Sequence, residues 1–125
     1  MRRTAMLLAI LTTLPGLCSC SEDVGSSAAE TAGGSIARGK LAVASYGCVS
    51  CHTIPGIRGA DALVGPPLDR IASRTYVAGV LVNTPENLVR WIEGPPQVDP
   101  LTAMPDLHVT EADARDIATF LSTLR

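Results

Sequence analysis

Apolar positions recur at helical spacing in three places along the chain. Ile36, Leu41 and Val43 stand among small residues after Ser35, a capping type, and Gly47 supplies a stop, so a helix is predicted from Ser35 to near Gly47. Thr84, Pro85 and Glu86 form a start signal, since proline suits the first helical position and an acid complements the helix dipole; Gly94, Pro95 and Pro96 are expected to stop that helix. Thr110, with Asp113 three positions later, opens a last helix whose apolar stripe is Ala114, Ile117, Ala118, Leu121 and Leu124. Glycine and proline loops join these segments. The predicted fold class is all-α.

The N-terminal third has a different pattern. Arg2 and Arg3 precede an apolar run from Ala5 to Leu14, which is far shorter than the roughly 20 residues of a bilayer span and reads as an export signal. In "LCSC", Leu17 stands three before Cys20 and Ser19 just before it, a pattern that resembles a bacterial lipobox, so residues 1–19 are expected to be a lipoprotein-type signal and Cys20 a lipid-anchored N-terminus. An ordinary cleavage site with incidental cysteines is the alternative. Residues 20–34 are small, polar and acidic and are read as a flexible tether, spanning about 20 Å as a random coil. The folded domain is then residues 35–125, on the periplasmic side of a bacterial membrane.

Charge and composition remove several function classes. The formal charge of the 125 residues is -2, and residues 35–125 carry eight basic and nine acidic side chains, so no basic surface suggests nucleic acid. Only 3% of residues are aromatic. So small a domain without large side chains struggles to bury enough apolar area against chain entropy, and a bound group is expected to complete its core.

Of four cysteines, only Cys48 and Cys51 fall in the domain, in "YGCVSCHTIPG". One such close pair cannot staple a domain. A thioredoxin-like site needs a strand leading into a helix, and no strand pattern flanks this motif; a structural zinc site needs four ligands, and His108 is the only other histidine. C-x-x-C-H is the attachment sequence of c-type haem. On a helical turn, Cys48, Cys51 and His52 project from one face, so both sulfurs can bond the porphyrin while the imidazole reaches its iron.

At this point the chain resembles the bacterial class I c-type cytochromes, over residues 35–125. The resemblance rests on the order of "YGCVSCHTIPG", "GPPLDRIASR", "NTPENLVRWIEGP", "TAMP" and the closing amphipathic helix. It implies four to five helices wrapped around one covalent haem, with first and last helices crossing beside it, Gly39 and Phe120 being candidates for that crossing. Met104 is the only methionine outside the leader and lies on a loop beside Pro105. The family places its axial methionine on such a loop, which makes His52 and Met104 the expected iron ligands; His108 is the competitor for the second position.

The resemblance further implies that the Pro66 carbonyl accepts from the ligating histidine's free ring nitrogen, with Leu68 packing on the haem; the alternative is that Gly65 to Pro67 is simply a turn. Arg74, Tyr76 and Trp91 carry donors for the haem propionates by the same likeness, although a packed core indole is an equal reading of Trp91. With both axial positions filled, the function implied is one-electron transfer rather than enzymatic catalysis. The partners are then a redox donor and acceptor in a respiratory complex, oxidase or dehydrogenase. The alternative is a haem sensor or peroxidase-like protein whose methionine ligand is labile.

Overall fold

The computed structural model describes residues 33–125, so the leader, Cys20 and the tether up to Thr31 and Ala32 lie outside the described residues. Helix α1 spans Ile36–Ser45, followed by a 3-10 turn at Cys48–Ser50 and a second at Ile71–Ser73. A short antiparallel hairpin, β1 Tyr76–Val77 and β2 Leu81–Val82, precedes helices α2 Pro85–Glu93, α3 Pro95–Val98 and α4 Glu111–Leu121. No helix among the described residues is long and apolar enough to cross a membrane.

The helix ends follow their capping chemistry. Ser35, Thr84 and Thr110 each accept a backbone N–H three residues on, from Arg38, Asn87 and Asp113, which satisfies a donor that the first helical turn leaves unpaired. Gly47, at φ 75°, turns the chain out of α1 into Cys48. Two departures from the sequence pattern appear here. Pro95 and Pro96 do end α2, yet they also start α3, because proline's fixed φ suits a first helical turn once Gly94 has redirected the chain. The hairpin was hidden because Ala78 occupies a left-handed position (φ 53°) before Gly79, where Asn or Asp is the usual signal.

Helices α1 and α4 meet backbone to backbone. A Cβ at Gly39 would lie 2.2 Å from the Asp116 carbonyl oxygen and 2.8 Å from Phe120 Cβ, so only glycine permits this approach. Gly34 also lies against α4, where a Cβ would sit 2.5 Å from Arg115 O; packing thus begins one residue ahead of the expected domain start. Phe120 is buried beneath the crossing and Lys40 Nζ stands 5.7 Å from its ring centroid. Buried Asp116 joins the middle of α4 to the start of α1: it accepts from Ser35 N–H at 2.6 Å and from Arg38 Nε and Nη2 at 2.6 and 2.9 Å. The remaining core, including Val43, Ile117, Leu121, Trp91 and Ile92, packs around this junction.

Two predictions follow from the crossing. Gly39→Ala should destabilise the fold by about 2 kcal/mol or more, since the clash is with backbone that cannot rotate away; urea titration checks it. The Arg38 guanidinium holds the Asp116 carboxyl below the usual carboxylate range, and the Tyr46 phenol does the same for Asp113. A carboxylate with a lowered folded pKa contributes stability above its unfolded value, about 3.9, and loses it as pH falls through the folded value. The urea midpoint should therefore hold from neutral pH to about 5 and fall below about 4, with a shallower acid limb in Asp116→Asn.

Candidate functional site

The Cys48–Ser50 turn gathers the sequence motif into one corner of the domain. Cys51 N–H and His52 N–H both donate to Cys48 O, at 3.2 and 3.0 Å, so the two cysteines and the histidine lie on successive positions of a single tight turn. His52 is then fixed from the other side of a loop. Its Nδ1 lies 2.7 Å from the Pro66 carbonyl oxygen, and a carbonyl can only accept, so Nδ1 carries the proton. In the neutral ring this leaves the lone pair on Nε2, the nitrogen able to ligate a metal.

Gly65 makes that placement possible. A Cβ there would sit 2.5 Å from His52 Cε1 and 2.7 Å from Nδ1, so the imidazole lies directly over a glycine. Gly65 N–H also donates to Cys51 O at 2.7 Å and Leu68 N–H to Thr53 O at 2.8 Å, which ties the "GPPL" loop segment along the motif. The sequence marked Gly65 only as part of a turn; its role was not visible because nothing local shows what crosses above it.

A cavity of about 330 Å³ opens in front of this corner. Cys48, Cys51, His52, Pro66, Leu68, Arg74, Trp91 and Met104 all line it, and α1, α2 and α4 add Val43, Leu88, Ile92, Ile117 and Leu121. Residues distant in sequence are thus brought to one apolar wall. The Trp91 side chain lies on this wall largely buried, at 8% exposure. Arg74 reaches the wall with its guanidinium bonded to the carbonyls of Pro67 and of Asp69, so it braces the loop segment that holds His52. Tyr76 does not line the cavity: strand alternation turns it outward, 54% exposed, and sends Val77 inward. His108 is also absent from the wall, exposed at φ 54° beside Asp106.

Burial, first of all, pushes the Cys48 thiol above its ordinary value, which disfavours a thiolate at that sulfur. Among the described residues, His, Cys, Asp and Glu side chains form no group of three or more that could hold a metal ion.

Residues 36–125 match the family model described as Cytochrome c. The chain belongs to the cytochrome c family. That family binds haem c covalently through a cysteine pair, which Cys48 and Cys51 supply here, and works by haem-based electron transfer. The structure fits such a group: an apolar cavity borders both cysteines, a histidine held through Nδ1 and a thioether. The chain is also similar to cytochrome c oxidase subunit 2 of Bacillus sp. (strain PS3), 28% identical over 94 residues, and of Alkalihalophilus pseudofirmus, 30% identical over 91. These matches take in 72% and 70% of this chain but only 26% and 25% of the relatives, so the chain spans about a quarter of their length.

Gly65→Ala tests the geometry of this cytochrome's histidine. The added methyl should push the ring off the Pro66 carbonyl and raise the solvent exchange rate of the His52 Nδ1 proton, read by NMR, about tenfold.

Proposed function

We propose that the chain is a single-electron carrier in which His52 and Met104 take the two axial positions of the haem iron. The observation that carries this reading is the shared wall: Met104, the sole thioether in the domain, lines the same cavity as Cys48, Cys51 and His52, while His108 does not. The haem supplies the one-electron couple. The protein supplies the rest: His52 is held in one tautomer by Pro66, Gly65 leaves room for its ring, and Met104 offers a soft sulfur that favours the reduced metal and raises the potential. Arg74 acts through the loop segment it braces, and Trp91, on the same wall, is placed to offer its N–H to a propionate.

The rim of the cavity suits brief docking. Leu63 and Val64 are each 82% exposed and Leu101 is 93% exposed, and Val64, Ala103 and Pro105 reach the cavity wall itself. A redox partner would meet an apolar edge with few charges, so association should depend weakly on salt. The likeness to oxidase subunits favours a respiratory oxidase or dehydrogenase as that partner, with the domain acting as a shuttle or as a subunit. The leader pattern favours the periplasmic face of a bacterial membrane and an acyl anchor at Cys20.

Replacement of each candidate ligand separates the readings. Met104→Ala should abolish the sulfur-to-iron charge-transfer band, lower the reduction potential and open the iron to cyanide; His108→Ala should do none of these. An unchanged spectrum in Met104→Ala with a high-spin shift in His108→Ala would make the haem bis-histidine. If neither substitution changes the spectrum, the iron is five-coordinate and the protein is a ligand-binding sensor.

A further inference from the structure

Tyr46 makes a contact that haem attachment does not require. It stands two positions before Cys48 at the end of α1 and reaches the start of α4, where its phenol donates to Asp113 Oδ2 at 2.7 Å and accepts from Thr110 N–H at 3.4 Å. The Thr110 hydroxyl donates to the same carboxylate oxygen at 2.8 Å, and Asp113 N–H returns a bond to Thr110 Oγ1 at 3.2 Å. The two hydroxyl donors hold the Asp113 carboxyl below its usual range, the phenol most of all.

The segment just before Thr110 is the loop that carries Met104. Among the described residues, the hydrogen bonds of 99–108 are all local: Asp99 N–H to Pro95 O, Leu101 N–H to Asp99 Oδ1, Thr102 N–H to Asp99 O, Met104 N–H to Thr102 Oγ1, Gln97 to Asp106, and His108 N–H to Asp106 Oδ1. None of them ties the loop to the Cys48–His52 turn. Beyond these bonds the loop rests on the packing of Met104 and Leu107 against the core. Its C-terminal end is fixed at the α4 cap, and Tyr46 is the side chain that fastens this cap to the haem-attachment turn.

We propose that Tyr46 is a positioning residue: through Thr110 and Asp113 it sets the Met104 loop against the Cys48–His52 turn, and so governs how readily Met104 leaves the iron. The proposal rests on the His52 and Met104 ligation above. Three features give it a sharp signature. The bond links two segments 64 to 67 positions apart in sequence, it ends on a charged acceptor, and a single oxygen atom can be removed without altering the ring that packs on the core.

The test is imidazole competition on the haem-loaded protein, followed by the charge-transfer band, together with hydrogen exchange of the Met104 amide. Tyr46→Phe should bind imidazole about tenfold more tightly than wild type and speed exchange in the loop by a similar factor. Asp113→Ala should match it, the double variant should add nothing further, and Asp113→Asn, which keeps an acceptor, should fall between. If Tyr46→Phe lowers the thermal midpoint yet leaves imidazole affinity and loop exchange as in wild type, while Met104→Ala raises that affinity, Tyr46 is structural only and the proposal fails. If Met104→Ala leaves imidazole affinity unchanged, the ligation fails and the positioning role fails with it.

Discussion

The approach of α1 to α4 at Gly39 is the constraint from which the site is built. With no side chain between them, the Gly39 backbone lies against the Asp116 carbonyl, and Asp116 turns its carboxylate to Ser35 and Arg38 at the start of α1. Helices held this closely act as one rigid unit. The attachment turn follows α1 directly, and the methionine loop leads directly into α4, so a crossing at Gly39 fixes the two chain segments that must face a common cavity. A change of one methyl at Gly39 therefore reaches the chemistry although it touches none of it.

The site itself combines rigid and loosely held parts. His52 is confined from several directions, by the Cys48 carbonyl through its backbone, by Pro66 through its ring and by Gly65 beneath it. Met104 is carried on a loop whose hydrogen bonds are local and whose far end is pinned through Tyr46. Under the proposed ligation, a rigid nitrogen donor and a more compliant thioether would hold an iron centre that changes charge with little change of geometry.

Much of this was legible in the sequence because the relevant signals are local. C-x-x-C-H, the caps Ser35, Thr84 and Thr110, and the α4 stripe each express a rule acting over a few residues, and the structure shows those helices at those caps. What was not legible depends on long-range contact or on a side chain's direction. Tyr76 read as a site residue by position, but its orientation was set by a hairpin that Ala78 concealed. Gly65 and Tyr46 sat in plain view inside quoted motifs, yet their partners, His52 above one and Asp113 beyond the other, are 13 and 67 positions away. The family resemblance supplied the Pro66 carbonyl beside His52, whereas the contacts of Gly65 and Tyr46 show only in three dimensions.

Covalent haem in this cavity is the central claim, and the intact mass of the denatured protein tests it most directly. Thioether bonds survive unfolding and acid-organic extraction, so the haem-loaded protein should show the mass of the polypeptide plus one haem, and replacement of both Cys48 and Cys51 should leave the bare chain. A wild-type protein that sheds all its haem on extraction, with Cys48 and Cys51 recovered as thiols or as a disulfide, would contradict it.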